Sequence, residues 1–328
     1  MALRRRFRPV FLKHAPRGMA RFAKPLQGPF GLAAKHSQKH KNRPKIGRFS
    51  HFNPSAEMHP FSLFSASKAP EKWLCDAICR KKQLFAGSFV SRSHSFCSFT
   101  DIPQEYENGF AQSEILPDTY PGMTNYKCFL KKGHTVSPKK YADKVVMYCF
   151  TRGNGYVTTP EWSRDIRELS FFAPDFDNSD FSITAVEDME FLCLVSEMEE
   201  CERENWPKWH LRLPWFTRMS ECKEYVQDCK GPNTRSWSVL DPKYLGGVLM
   251  GIVRAEGEGT TEKGHPSVAQ WNYALPGADF HLTVNDETVE QADGDFSYVT
   301  PGDDHSLVSD AGKLTYYIWY ERRVYTEQ

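Results

Sequence analysis

The chain has 328 residues, 40% of them hydrophobic and 14% aromatic, enough for one large or two modest folded domains despite a mean hydropathy of −0.57. No apolar run reaches the length of a membrane span, so no membrane association is expected. The formal net charge of +1 hides an asymmetry: residues 1–56 carry 14 Lys and Arg and no acid, which leaves the remainder at −13, an acidic body that argues against a nucleic-acid partner there.

The opening "MALRRRFRPVFLKHAPRGMARFAKPLQG" is Arg-rich, acid-poor and broken by Pro and Gly, and it lacks the continuous apolar run of a secretory signal. Three readings stay open: a mitochondrial-type presequence, an extension that does not fold, and a nucleic-acid-binding arm. Residues 1–100 are accordingly read as a basic, disordered extension or targeting segment, with the protein cytoplasmic, or mitochondrial if the segment is a presequence. Within it "EKWLCDAICRKKQLFAG" reads as a short helix and "SFVSRSHSFCSF" as linker, so ordered structure is expected to begin between Asp101 and Pro121. Nine cysteines without a CxxC pair point to free, buried thiols in a reducing compartment; Cys75/Cys79 and Cys222/Cys229 lack partners at zinc-finger spacing.

From Tyr126 the chain alternates short β-type runs with turn signals, which predicts an all-β fold of sandwich or barrel type. "KVVMYCF" stops at "TRGNG"; "ELSFFAP" and "MEFLCLVSEM" follow, separated by "DFDNSD". The charged, Trp-rich and Pro-broken "EECERENWPKWHLRLPWF" reads as an inter-domain connection packed by its aromatics. A second strand set then runs through "RSWSVL", "GGVLMGIVRA", "QWNYAL", "DFHLTV", "FSYVT" and "LTYYIWYE". "DFHLTV" and "FSYVT" alternate in polarity as half-buried strands do, whereas the other runs are apolar enough to be covered on both faces. Period 2 puts Trp271 and Tyr273 on one face, opposite Gln270 and Asn272, and pairs Tyr317 with Trp319; packing is the default role of these aromatics and of Tyr298. His281, on "DFHLTV", is read as an exposed strand histidine.

Two spaced motifs carry a resemblance. In "GHPSVAQWNYALPG", Gln270 stands five residues after His265 and Gly277 seven after Gln270, and "GDFSYVTPGDDH" runs from Gly294 to His305. Both resemble the paired motifs of the cupin superfamily, a small double-stranded β-helix or jelly-roll barrel, over roughly residues 235–322. "KKYADKVVMYCFTRGNGYV" and "FFAPDFDNSDFSITAVEDMEFLCLV" look like degenerate copies of the same motifs. The resemblance thus implies an all-β bicupin with two jelly-roll barrels: a degenerate one over residues 101–205 and one with a candidate metal site over residues 206–328.

Cupin metal sites typically gather three His and one Glu. Carried over, His265 takes the second His slot, His305 the last and Gln270 the Glu slot, while Lys263 stands where the first His would be. The implied metal ligands are therefore His265, Gln270 and His305, holding a divalent metal (Mn, Fe, Ni or Zn). Glu262 could add a carboxylate if its strand bulges. Lys263 is the candidate catalytic residue, orienting a substrate carboxylate or carrying a proton, although its ammonium is repelled by a dication. The first barrel offers only Tyr141, Asp143 and Lys144 at matching positions, with His134 its lone histidine, so it is expected to be structural.

The resemblance implies a metal-dependent cupin enzyme that acts on a small polar, carboxylate-bearing metabolite by Lewis-acid activation, an isomerase, hydrolase, decarboxylase or dioxygenase, with a homodimer as the candidate assembly. The alternative is a non-catalytic bicupin that binds or interacts after losing its metal. A weaker similarity runs to the ureidoglycine aminohydrolases, through "YPGMTNYKCFL", although their ligand spacing differs from that around His265.

Overall fold

The computed structural model describes residues 94–208 and 211–325. The basic segment with its three readings, the helix expected in "EKWLCDAICRKKQLFAG", Cys75 and Cys79 all lie outside those residues. Among the described residues no helix is long and apolar enough to cross a membrane.

Four antiparallel sheets form two sandwiches. In the first, a six-stranded sheet runs in the order Trp215–Arg218, Ser170–Ala173, Lys144–Arg152, Met189–Glu197, Met123–Leu130, Phe110–Ile115. It packs on a four-stranded sheet of Thr135–Val136, Ser182–Ala185, Gly155–Thr158 and Ser163–Ile166. In the second, a seven-stranded sheet runs His94–Cys97, Phe296–Val299, Val268–Ala274, Leu314–Arg323, Val248–Glu256, Arg235–Leu245, Lys223–Tyr225. Its partner is a four-stranded sheet of Gly259–Glu262, His305–Val308, Asp279–Val284 and Glu287–Ala292. The all-β fold with two jelly-roll-like barrels is thus the observed architecture.

Strand periodicity sorts the side chains into three apolar layers. Val146, Tyr148 and Phe150 point into the first sandwich, while the alternate Met147 and Cys149 join Leu192, Met250, Ile252, Trp271 and Tyr273 in a layer shared by both sandwiches. Val253, Ala274, Phe280, Leu282, Leu307 and Tyr317 fill the inside of the second. The two interiors differ in kind. The first is closed by an aromatic cluster in which Tyr148, Phe172, Phe181 and Phe191 meet at centroid distances of 5.1–6.2 Å. The second buries the polar side chains of Gln270, Asn272, Gln291, Ser297 and His305.

Several expectations are revised. "HSFC", read as linker, forms the strand His94–Cys97 on the edge of the second barrel's large sheet, paired with Phe296–Val299, so ordered structure begins before Asp101. It covers backbone groups that would otherwise form an open sheet edge. Trp215–Arg218, from the far side of the connection, pairs instead with Ser170–Ala173 of the first barrel. Each barrel therefore borrows a strand, and boundaries at residues 101 and 206 do not coincide with the sheets. "DFHLTV" alternates as expected, but Phe296–Val299 is buried throughout: Phe296 and Tyr298 pack toward the first barrel while Ser297 and Val299 face inward. Within the connection, Glu200–Asn205 forms a short helix closed by a Glu199–Glu202 capping box, and Trp206 packs on Phe176 at 4.9 Å.

Candidate metal centre

The strand Gly259–Glu262 pairs with His305–Val308 in a register that sets Glu262 directly opposite His305, so both side chains leave the same face. That face is the inside of the barrel. Five residues link Glu262 to Val268, and the link carries His265. Gly264 holds this link close to the second motif's turn. A Cβ at Gly264 would stand 1.9 Å from the Gly302 carbonyl, its N–H donates to Asp304 Oδ1 at 2.8 Å, and Gly302 N–H donates to the His265 carbonyl at 3.3 Å. The second motif's turn is thus fastened to the first motif's loop, and the two imidazoles meet edge to face with centroids 5.6 Å apart.

One ligand atom each from Glu262, His265 and His305 can be chosen such that all lie within 4.8 Å of one another. His265 Nε2 is 3.4 Å from Glu262 Oε2 and 3.9 Å from Glu321 Oε1; His305 Nε2 is 3.9 Å from Glu262 Oε2. His305 Nδ1 lies 3.1 Å from the Asp303 carbonyl, which can only accept, so the proton sits on Nδ1 and Nε2 turns a lone pair inward. His305 Nε2, His265 Nδ1 and Gln270 Oε1 are all buried without a hydrogen-bond partner among the described residues. Such atoms are costly to leave empty-handed, and two imidazoles beside one carboxylate, with an unpaired amide oxygen on the same barrel interior, suit a divalent cation. The residues present fit a metal.

Electrostatics separates the two carboxyl groups. Burial alone would raise Glu262, but the His265 hydrogen bond, Lys230 and His305 outweigh it and hold the group at about 2. Glu321 is pushed up to about 7 by burial, with Glu262 adding to the effect and His265 and Lys230 opposing it. His265 is raised, chiefly by its hydrogen bond to Glu262, whereas burial lowers His305. Glu262 is thus the anion of the group and His305 its neutral imidazole.

The sequence-derived residues divide. The structure brings His265 and His305 together. Gln270 also faces inward, opposite Glu321 in the strand register, but its amide nitrogen is spent on Asn272 Oδ1 at 2.9 Å. Glu262 reaches the histidines as the last residue of its strand, without a bulge in the pairing. Lys263, next in the chain, takes the opposite direction: its side chain is 93% exposed and its Nζ pairs with Asp304 Oδ2 at 2.7 Å. It does not stand where a fourth ligand would. His281 pairs with Asp310 at 3.2 Å, remote in the sheet from the cluster. Glu321 and Lys230 were not singled out from the sequence. The available signal for Glu321 was its phase, two residues beyond Trp319 and four beyond Tyr317 on the inward face; Lys230 lies in a segment with no periodicity.

A cleft of about 200 Å3 opens along Glu262, Lys263, Asn285, Asp304 and His305. A larger one of about 430 Å3, between Tyr120, Arg203 and Arg322, is lined by none of the clustered residues. The smaller cleft is the one that touches the candidate ligands.

No protein-family model matches the chain, and no curated protein sequence does. Solved structures do. A glyoxylate-induced protein from Pseudomonas aeruginosa is similar over 73% of this chain and 93% of its own, with a TM-score of 0.59 at 13% identity. A Lactobacillus farciminis oxalate decarboxylase in complex with formate matches over 73% and 89%, with a TM-score of 0.55 at 16% identity. A Bacillus subtilis oxalate decarboxylase, described with Mn(II) centres, matches over 73% and 80%, with a TM-score of 0.54 at 16% identity. At these identities the likeness is one of fold, and the fold is the cupin jelly roll.

Proposed function

We propose that the second barrel is a divalent-metal centre of the cupin type acting on a small polar, carboxylate-bearing metabolite, with Glu262, His265 and His305 as ligands and Gln270 Oε1 as a neutral donor from the facing sheet. The observation that carries this reading is the convergence of the three ligand atoms within 4.8 Å, two imidazoles and one carboxylate, with buried unpaired donor atoms beside them. The oxalate decarboxylases that share the fold support the substrate class, since oxalate is a small carboxylate.

Bound there, the cation would act as a Lewis acid on a carbonyl, an enediol or a water. The residues around it supply the rest. Glu262 provides the negative charge that neutral imidazoles lack. Asp303, through its carbonyl, fixes the tautomer and ring direction of His305. Asp304 takes the Gly264 N–H and the Lys263 ammonium together, so Lys263 acts from outside, on the loop that holds His265, rather than on substrate. Phe280, Leu282 and Leu307 keep water from the deep side of the barrel, while Glu262 and His265, with side chains 19% and 30% exposed, leave the near side open.

The test is metal per chain by elemental analysis after dialysis, with thermal shifts in Mn, Fe, Ni and Zn. Wild type should retain about one metal, and His305→Ala and Glu262→Gln should each lose it. A wild type that stays empty, with no metal shifting its melting, would make this a retired site.

Two observations favour a second reading. The Gln270 amide is turned to Asn272, and the first barrel holds no cluster of metal-ligating groups among the described residues. A protein with both barrels retired would bind or interact without chemistry, and the same metal analysis separates the two readings.

A further inference from the structure

The segment between Lys223–Tyr225 and Arg235–Leu245, two strands of the second barrel's large sheet, lies along the barrel's small sheet as an added edge. Thr261 N–H donates to the Cys229 carbonyl and Gly231 N–H to the Gly259 carbonyl, each at 2.9 Å, and Lys230 forms an antiparallel bridge with Thr260. Residues paired across an antiparallel bridge leave the same face. Thr260 is fully buried and takes the Tyr317 hydroxyl at 3.1 Å inside the barrel, so Lys230 is aimed inward as well, in phase with Glu262 two residues on. Its Nζ lies 5.7 Å from the centre of the Tyr225 ring, and Glu262, Glu321 and the Cys229 thiol are the titratable groups whose charge it feels. Cys229 Sγ is 3.5 Å from Glu262 Oε1, which fixes the segment against the candidate ligands. No carboxylate of the described residues comes within ion-pair distance of Lys230 Nζ, whereas Lys263 is fully engaged with Asp304 on the outside.

We propose that Lys230, carried to the mouth of the second barrel's small sheet by the segment between Lys223–Tyr225 and Arg235–Leu245, is the positioning residue that binds the carboxylate of an anionic substrate beside Glu262, His265 and His305. The inference rests on the metal-centre reading for its charge balance. A dication and one ammonium carry three positive charges, against at most two negative ones from Glu262 and Glu321. One anionic group from outside completes the balance, and a half-buried ammonium without an ion-pair partner among the described residues is the group placed to hold it. The substrate class is therefore a small carboxylate anion, and a neutral amide of the same shape should be rejected.

The probe is oxalate, with oxamide as its uncharged counterpart, titrated calorimetrically into Mn(II)-treated protein whose metal content is measured before and after. Wild type should bind oxalate and not oxamide. Lys230→Met should weaken oxalate about tenfold or more while retaining wild-type metal, and Lys230→Arg should recover most of the loss. If Lys230→Met does not fold, Lys230→Gln carries the same comparison. Oxalate binding within about twofold of wild type in the uncharged variant, or equal binding of oxamide by wild type, would overturn the assignment, as would no binding of oxalate at all. A protein that takes up no Mn(II) but still distinguishes oxalate from oxamide through Lys230 fails the metal reading and leaves this one standing; a metal-loaded protein indifferent to Lys230 does the reverse.

Discussion

Glu262 and Lys263 are neighbours in the chain and opposites in role, because successive strand residues leave opposite faces. The motif spacing aligned Lys263 with a ligand slot; the register puts Glu262 there, opposite His305. Lys263→His should therefore leave metal content unchanged, contrary to what the motif alone implies, and metal analysis of the variant checks it. Gln270→Glu should behave otherwise. Its Oε1 is buried, unpaired and next to Glu321 in the register, so a carboxylate there should tighten metal retention. Without metal the same variant should melt earlier, by roughly 1–3 kcal/mol of stability, since it buries a charge beside two other carboxyl groups. Thermal melting with and without chelator reads both effects. His265 and His305 were legible in the sequence because both lie in motifs anchored by turns. Lys230 was not, because its place depends on a bridge to a strand 30 residues on that no local pattern announces.

At the scale of elements, period-2 patterning explained most of the strands and the turn residues most of their ends. It failed where a strand is shared. "FSYVT" has the composition of a half-wet strand, yet the edge strand His94–Cys97 and the first barrel cover its outer side. The joint is held by Asp295, 6% exposed, whose carboxylate accepts the Phe99 and Ala292 N–H groups at 2.8 Å each. Asp295→Ala leaves two backbone donors without partners and should destabilise by about 1–3 kcal/mol, measured by chemical denaturation, and hydrogen exchange should rise at residues 95–99 before it does elsewhere. Gly264→Ala is the matching test at the site. The Gly302 carbonyl leaves no room for a Cβ, so the loop must shift and carry His265 with it. Metal retention should fall with little change in the barrel's far strands, which elemental analysis and exchange mapping report together.

For the whole molecule, the question is whether the first barrel does chemistry or supports the second. Its interior is aromatic and full, and Asp143, at the matching motif position, lies with Glu197 and Arg323 in the outer cleft rather than inside. Its large sheet instead turns Met147, Cys149, Leu192 and Leu194 toward Met250, Ile252, Trp271 and Tyr320 of the second barrel. Polar ties cross the same boundary: Arg322 grips Glu202 with two bonds of 2.6 and 2.7 Å, Tyr325 adds a third at 2.8 Å, and Lys127 donates to the Tyr273 hydroxyl. Layers this continuous predict that the barrels unfold as one body, although chains of two domains often do not. Leu192→Ala, at a position 1% exposed in the shared layer, should therefore cost about 2–5 kcal/mol of global stability. The loss should show in one transition that both first-barrel and second-barrel probes follow, with metal per chain unchanged in the native state. Asp143→Ala should change neither quantity. Two separated transitions in Leu192→Ala, with second-barrel tryptophans melting at their wild-type midpoint, would show that the first barrel is an independent domain. Metal lost with Asp143 would show that it holds a site of its own.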